Sequence, residues 1–148
     1  MNDIHKQLKP QPKLSAVGTT CPLRLLIVED NLMNLRVLNQ ILNRMGFQPD
    51  IARDGAEAVE AVRRQSYDMI FMDLQMPVMD GFSATRAIHS LLGSRAPWIV
   101  AFTANAQQPV QIACKECGMN DFISKPATPR IIETAIRKAF QSLTDSPD

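Results

Sequence analysis

The chain lacks several features that would assign it to a particular class of protein. Its 148 residues carry a formal net charge of +1, so no basic excess indicates a nucleic acid or an anionic membrane as partner. No stretch reaches the ~18–20 consecutive apolar residues of a membrane-spanning helix, and the N-terminal residues lack the apolar centre of a signal peptide. We therefore expect a cytoplasmic protein whose domain contacts neither nucleic acid nor membrane lipid directly.

Cysteine is also scarce. Cys21, Cys114 and Cys117 are an odd number at spacings that do not indicate a disulfide framework. Cys114 and Cys117 lie three residues apart on a predicted helix, where they share one face, and no second Cys/His pair accompanies them to complete a metal or redox motif. We interpret both as small apolar residues of a helix.

Composition divides the chain into three parts. Residues 1–22 are polar, rich in proline and other helix breakers, and without sustained periodicity, which predicts a linker or a disordered arm. Residues 23–142 have the size expected of one globular domain. Residues 143–148 form a short polar tail.

Within the domain, the apolar pattern alternates five times between strand and helix, which predicts an α/β fold. Strands are predicted at about 25–28, 48–52, 69–73, 98–102 and 121–124, and helices at about 32–45, 55–64, 81–91, 109–117 and from 129 onward. Asn31, Asp54 and Thr128 are predicted helix caps, and Gly46 and Gly118 are predicted helix stops.

Polar side chains that can bind ligands or take part in a reaction follow four of the apolar strands. Glu29 and Asp30 follow the first strand, Asp73 ends the third, Thr103 ends the fourth and Lys125 ends the fifth. The carboxyl ends of the strands are where open α/β sheets bind ligands. Carboxylates, a hydroxyl and an amine gathered at one edge suggest a site for a divalent cation and a phosphoryl group.

Four motifs, in order and at plausible spacing, resemble the receiver domains of two-component response regulators. They are Val28-Glu29-Asp30-Asn31, MDLQMPVMDG at 72–81, FTANA at 102–106 and FISKP at 122–126. The resemblance covers about residues 23–140. It implies a flavodoxin-like (βα)5 fold, a doubly wound parallel sheet with strand order 2-1-3-4-5. It also implies a phosphoacceptor domain of a two-component phosphorelay, which takes a phosphoryl group from a phosphohistidine.

The resemblance assigns the reactive residues as well. Asp73 is the expected nucleophile, which forms an acyl phosphate in a reaction that depends on Mg²⁺. Asp30, Asp73 and the backbone carbonyl of Gln75 are the expected Mg²⁺ ligands, and Glu29 is expected to act mainly through water. These are oxygen donors, which this hard cation prefers.

The resemblance further implies how the phosphoryl group is held and sensed. Lys125 is expected to pair with one phosphoryl oxygen and the Thr103 hydroxyl to bond another. The Lys125-Pro126 peptide bond is expected to be cis. Thr103 and Phe122 are the expected switch residues, which move on phosphorylation, and Ala104 leaves space for the phenylalanine ring.

The motif style is closest to the receivers of hybrid sensor histidine kinases. EDNLMN at 29–34, TANA at 103–106 and CGMND at 117–121 carry this likeness, and no DNA-binding module follows the last helix. The expected partners are a histidine kinase, a histidine phosphotransfer domain, or both. We expect the chain to be either a domain of a larger hybrid kinase, with a membrane sensor kinase as the expected parent, or a free-standing receiver. Alone, it is expected to be a phosphoacceptor and not a kinase.

By the same resemblance, the first long helix is expected to dock the helical partner. The expected docking residues are Asn31, Leu32, Asn34, Leu35 and Leu38. Exposure of Leu32 would support this assignment, and its burial would weaken it.

Other functions fit part of the pattern. A phosphatase with an aspartyl-phosphate intermediate also uses an aspartate and Mg²⁺, but it needs a second acid/base group, and Leu74 and Gln75 follow Asp73 with no D-x-D motif. A pseudo-receiver, an interaction module without the acid pocket, is disfavoured by the complete set of acid, hydroxyl and amine. Flavin binding is disfavoured because no phosphate-binding loop rich in Gly, Ser or Thr follows the first strand.

Overall fold

The computed structural model of the chain describes residues 16–145. Its strands are β1 Leu25–Val28, β2 Asp50–Ala52, β3 Met69–Met72, β4 Trp98–Thr103 and β5 Asp121–Ser124. Its α-helices are α1 Val17–Thr20, α2 Leu32–Arg44, α3 Gly55–Arg64, α4 Gly81–Leu92, α5 Gln108–Cys117 and α6 Pro129–Thr144, and a 3-10 turn covers Gly93–Arg95. None of the helices in this range combines the length and apolar character needed to cross a bilayer.

All five strands are parallel and lie in the order β2-β1-β3-β4-β5. This confirms the predicted flavodoxin-like fold. The strand at the edge, β2, is shorter than the predicted span 48–52, because only three of its residues pair with β1. At the other strand ends, the differences from prediction are one residue: β3 ends at Met72 and β4 extends to Thr103.

The sheet separates two apolar layers. Alternate residues of each strand point to opposite faces, so Leu25 and Ile27 of β1 belong to one layer while Leu26 and Val28 belong to the other. The first layer packs against α2 and α6, and the second against α3, α4 and α5. Since β1 and β3 are buried along their whole length, their apolar runs read as continuous rather than alternating.

The predicted helix caps and stops are confirmed. Asn31, Asp54 and Thr128 each use a side-chain oxygen to accept the backbone N–H three residues later. Gly46 and Gly118 have positive φ values of 97° and 107° just beyond the ends of α2 and α5, a conformation that favours glycine. These caps and stops therefore mark where α2, α3 and α6 begin and where α2 and α5 end.

The cysteines have the structural role expected of them. Cys21, Cys114 and Cys117 are all free thiols. Cys114 lies on α5 and is buried in the second apolar layer. Burial raises the pKa of its thiol to about 11, so the thiol stays protonated and unreactive at neutral pH. The Cys117 thiol donates to the Cys114 carbonyl at 3.2 Å, which is a local helix contact.

The end of the predicted polar arm differs from expectation. Residues 1–15 lie outside the described residues, but 16–22 are ordered against the domain rather than forming part of a disordered arm. Val17 and Cys21 are buried in the first apolar layer, and the Gly18 N–H donates to the Met45 carbonyl at 2.7 Å. The segment folds because it covers apolar surface at the end of α2. Local composition cannot predict this contact, because that surface is formed by residues distant in the sequence.

Gly18 provides a test of this packing. A Cβ at Gly18 would lie 2.7 Å from the Met45 carbonyl oxygen and 2.9 Å from that of Gly46, both rigid backbone atoms. We expect Gly18→Val to lower the free energy of unfolding by about 1–3 kcal/mol, because α1 must shift or detach. Urea unfolding of the variant against Thr19→Val, an isosteric change at the exposed neighbouring position, measures the difference. Equal stabilities of the two variants would contradict the observed packing.

Candidate functional site

Backbone register brings the acidic residues of β1 and β3 together. Val28 pairs with Met72 in the sheet, so Glu29 and Asp73 leave the two strands side by side. The Glu29 N–H donates to the Ala52 carbonyl and the Asp73 N–H to the Val28 carbonyl, each at 3.0 Å. These bonds extend the ladder one residue beyond the strands and fix the backbone from which both carboxylates project.

Three carboxylates converge at this edge. One oxygen from each of Glu29, Asp30 and Asp73 lies within 4.8 Å of the others. Glu29 is 1% exposed and Asp73 7%, whereas Asp30 is half-buried. Like charges this close repel strongly where water is scarce, and their hard oxygen donors match the preference of Mg²⁺. The donor set therefore fits the predicted Mg²⁺ site, and Gln75 lines the same cleft.

Lys125 provides the positive charge inside the cluster. Its Nζ donates to Glu29 Oε1 at 2.6 Å and lies 3.4 Å from Asp73 Oδ1. Its backbone N–H donates to the Thr103 carbonyl at 2.8 Å, and the Lys125-Pro126 peptide bond is cis, as expected. One ammonium group thus bridges the acids that follow β1 and β3.

The surroundings of Asp73 favour its protonated form. Burial raises the pKa of Asp73 to about 6, and the negative charge of Glu29 adds to the rise, while Lys125 opposes it. Asp73 Oδ1 also accepts the Leu74 N–H at 2.8 Å. A cation bound beside this carboxylate would stabilise its charged form.

The carboxylates and Lys125 face an open cleft of about 720 Å³. Its lining residues are Glu29, Asp30, Asn31, Leu32, Asn34, Arg53, Asp73, Gln75, Thr103, Ala104, Asn105 and Lys125. Thr103 is buried, and its hydroxyl accepts the Asn105 N–H at 3.2 Å. Ala104 is exposed at the rim. Phe122 does not line the cleft and lies half-buried against the second apolar layer.

The structure divides the five predicted docking residues. Asn31, Leu32 and Asn34 line the cleft, and Leu32 is 56% exposed, which supports its predicted role. Leu35 and Leu38 are buried in the first apolar layer, so their assignment as docking contacts is wrong. Both lie on the face of α2 that turns toward the sheet, and a partner cannot reach them.

Four further residues at or beside the cleft were absent from the prediction. Arg53 and Asn105 line it, and Met33 and Val37 expose apolar side chains on α2, 74% and 48% accessible. Arg53 directly follows β2, so the rule that selected the acids after β1 and β3 applied to it as well. Met33 and Val37 lie between the core positions of α2, where the helical period of 3.6 residues turns side chains outward.

Together, the parallel sheet and the acid, threonine and lysine residues that meet at the carboxyl ends of its strands define a flavodoxin-like domain with an acidic cleft. The model of the response regulator receiver domain family matches residues 25–137. The chain belongs to that family, the receiver domains of two-component systems.

A relative among hybrid kinases is "Hybrid signal transduction histidine kinase B" of Dictyostelium discoideum. It is 43% identical over 114 residues, which cover 70% of this chain, but the chain spans only 6% of the length of that kinase.

Two solved structures show the same fold. The receiver domain of the sensor histidine kinase PA1611 of Pseudomonas aeruginosa, with a magnesium ion in its active-site cleft, is 37% identical with a TM-score of 0.74 over 80% of this chain and 97% of that one. The receiver domain of Saccharomyces cerevisiae Ssk1, in complex with the phosphotransfer protein Ypd1, is 29% identical with a TM-score of 0.76 over 85% and 94%.

The raised pKa of Asp73 predicts a pH-dependent stability. Its value is about 6 in the folded domain against 3.8 for an ordinary aspartate, so stability from its protonated form is complete below pH 3.8 and is lost as pH rises through 6. Above pH 6, Asp73→Asn removes the buried charge and should raise the free energy of unfolding by about 1–3 kcal/mol. At pH 4 the gain should largely vanish.

Urea unfolding in the presence of a metal chelator at pH 4 and 7.5 measures this difference. Asp145→Asn removes an equal charge from an exposed position and serves as the control. An Asp73→Asn gain that is absent at pH 7.5, or equal at both pH values, would refute the electrostatic explanation. Added Mg²⁺ should narrow the gain at pH 7.5, because it stabilises the ionised carboxylate of the natural chain.

Proposed function

We propose that Asp73 accepts a phosphoryl group from a phosphohistidine and that the domain passes this group on or converts it into a conformational signal. The observation that carries the proposal is the placement of Asp73, which opens to the cleft between two acidic groups and the ammonium of Lys125. A nucleophile, a cationic partner and an oxygen donor set suited to Mg²⁺ thus meet at one point.

In the proposed reaction, an oxygen of the Asp73 carboxylate attacks the phosphorus of phosphohistidine. The new O–P bond forms as the N–P bond breaks, and the electron pair of the broken bond stays on the imidazole nitrogen, which then takes a proton. Asp30, Asp73 and the Gln75 carbonyl would hold Mg²⁺, with Glu29 acting through water. When bound, Mg²⁺ supplies positive charge that offsets the carboxylates and the transferred phosphoryl group.

Lys125 and Thr103 complete the proposed phosphoryl site. Lys125 is buried enough to keep its ammonium inside the cleft, with 11% of its side chain exposed, and a small rotation would move Nζ from Glu29 to a phosphoryl oxygen. Among the described residues, the Thr103 hydroxyl makes one hydrogen bond, in which it accepts the Asn105 N–H. Its own proton is therefore available to a second phosphoryl oxygen. Both residues stabilise charge without entering a covalent bond.

The switch is proposed to use the same threonine. When Thr103 turns toward the phosphoryl group, it vacates space beside β5. Phe122 is the second residue of β5 and is half-buried. It would turn inward over Ala104, whose small side chain leaves room for the ring. The changed surface would be formed by α5, β5 and α6.

Histidine kinases and histidine phosphotransfer domains are the proposed partners, and a hybrid histidine kinase is the proposed parent. The 43% identity to a hybrid kinase of which the chain spans 6% supports such a parent. Leu32, Met33 and Val37 are exposed on α2, and we propose that they form an apolar docking face beside the cleft. A partner seated there would bring its phosphohistidine close to Asp73.

The phosphoacceptor role is tested by intact mass after incubation with acetyl phosphate and Mg²⁺. We expect a single phosphoryl adduct that requires Mg²⁺ and is lost on treatment with hydroxylamine, because an acyl phosphate reacts with this nucleophile. Asp73→Asn should form no adduct, while the exposed control Asp145→Asn should be labelled as fully as the natural chain. An adduct that persists in Asp73→Asn would refute the assignment.

The docking face predicts a donor-dependent defect. Leu32→Gln should slow phosphoryl transfer from phosphorylated Ypd1 by about tenfold or more, since it places a polar amide in an apolar contact, but it adds no charge to the cleft and should leave labelling by acetyl phosphate unchanged. Ile112→Gln, at a comparably exposed position on α5 with 51% exposure, should affect neither donor. Equal rates from Ypd1 for the two variants would exclude docking through α2.

A further inference from the structure

Arg53 lies at the mouth of the cleft and has no role in the mechanism described so far. It follows β2 directly, and because Val28 pairs with Ala52, Arg53 leaves its strand beside the acids that follow β1. Its Nη2 donates to the backbone carbonyl of Asp30 at 3.3 Å. The guanidinium therefore extends across the loop that carries two of the three acidic residues.

The backbone of Arg53 is held by the start of α3. The Arg53 N–H donates to Glu57 Oε1 at 2.8 Å, while the Glu57 N–H donates to Asp54 Oδ1 at 2.9 Å. The two bonds are similar to a capping box, except that Arg53 and not the cap residue Asp54 donates to Glu57, and they fix the backbone of the residue preceding the helix cap. Although the side chain is exposed, its point of origin at the cleft edge is fixed.

Arg53 and Lys125 are the two cations that line the cleft, against three carboxylates. Lys125 is engaged with Glu29 and Asp73, whereas the guanidinium of Arg53 has no carboxylate oxygen within 4.0 Å among residues 16–145. Its guanidinium carries five N–H donors, of which the Asp30 carbonyl takes one. The remaining donors suit a tetrahedral oxyanion, which a guanidinium binds through two parallel hydrogen bonds.

We propose that Arg53 is a second phosphoryl-binding cation of this site, which binds the nonbridging oxygens of the incoming phosphodonor at the mouth of the cleft. The inference rests on the proposed phosphoacceptor function and adds a residue to it. Arg53 forms no covalent bond and moves no proton. It raises the local concentration of the anionic donor and orients its phosphorus toward Asp73.

The same charge has a second, opposite effect on the metal. A guanidinium beside Asp30 repels a divalent cation, so Arg53 weakens Mg²⁺ binding while it favours the phosphodonor. Its removal should therefore change two measured quantities in opposite directions. A loss of local structure would instead impair both, because the same loop carries Asp30.

The test compares Arg53→Gln, Arg53→Lys and Arg95→Gln in the full chain. Arg95 is exposed in the 3-10 turn before β4, at the amino ends of the strands and away from the cleft. Its substitution removes an equal charge. The rate of adduct formation from acetyl phosphate is measured by intact mass at saturating Mg²⁺, at low and at high ionic strength. Mg²⁺ affinity is measured separately by calorimetry without phosphodonor.

For Arg53→Gln, we expect a rate about 5- to 10-fold lower at low ionic strength, a difference that shrinks to about twofold at high ionic strength, and Mg²⁺ binding about 2- to 5-fold tighter. Arg53→Lys should keep the natural Mg²⁺ affinity and salt dependence and recover most of the rate, since it keeps the charge. Arg95→Gln should match the natural chain.

Two results from the variants would overturn the inference without affecting the proposed function. The first is an Arg53→Gln variant that matches Arg95→Gln in both rate and Mg²⁺ affinity. The second is a rate reduced by the same factor at every ionic strength together with weaker Mg²⁺ binding, which would indicate a structural role only. A natural chain that accepts no phosphoryl group from acetyl phosphate or from phosphorylated Ypd1 would refute the proposed function, and this inference with it, before any variant is compared.

Discussion

The repulsion among three carboxylates, only two of which are paired with Lys125, is the constraint on which the rest of this structure depends. Glu29 is almost fully buried, so its charge has little access to water and relies on Lys125 Nζ at 2.6 Å. Leaving such a buried charge without its partner costs about 3–5 kcal/mol. The site therefore needs a backbone that cannot relax outward and separate the charges, and the central strands provide it.

The sheet meets this requirement because its stability comes from residues other than those of the site. The strands are covered on both faces by apolar layers, and their parallel register aligns the residues that follow β1 and β3. In the central strands β1 and β3, every residue is apolar and buried, and polar groups begin only where these two strands end. The amino-terminal segment α1 adds its contact at Met45, at the end of α2 remote from its Asn31 cap. Apolar packing thus occupies the length of β1 and β3, and charge repulsion is confined to the residues that follow their carboxyl ends.

This separation explains what the sequence could predict. Apolar runs ending in Asp73 or Lys125 carry both the strand and its functional residue, so local patterns sufficed for them, while the strand order came from resemblance. Burial of Val17 depends on a surface formed by distant residues, which composition cannot reveal. The helical period places Leu35 and Leu38 on the core face of α2, whereas the family resemblance assigns docking to the helix as a whole and does not distinguish its two faces.

Lys125 also links the charge of the site to the strands that would report it. Its Nζ lies within reach of two carboxylates, 2.6 Å from Glu29 and 3.4 Å from Asp73, so a new negative charge on Asp73 would change which partner it prefers. Its backbone N–H is bonded to the Thr103 carbonyl of β4, and Phe122 lies three residues earlier on β5. In the proposed reaction, a change of charge at Asp73 would therefore reach β4 and β5 through Lys125.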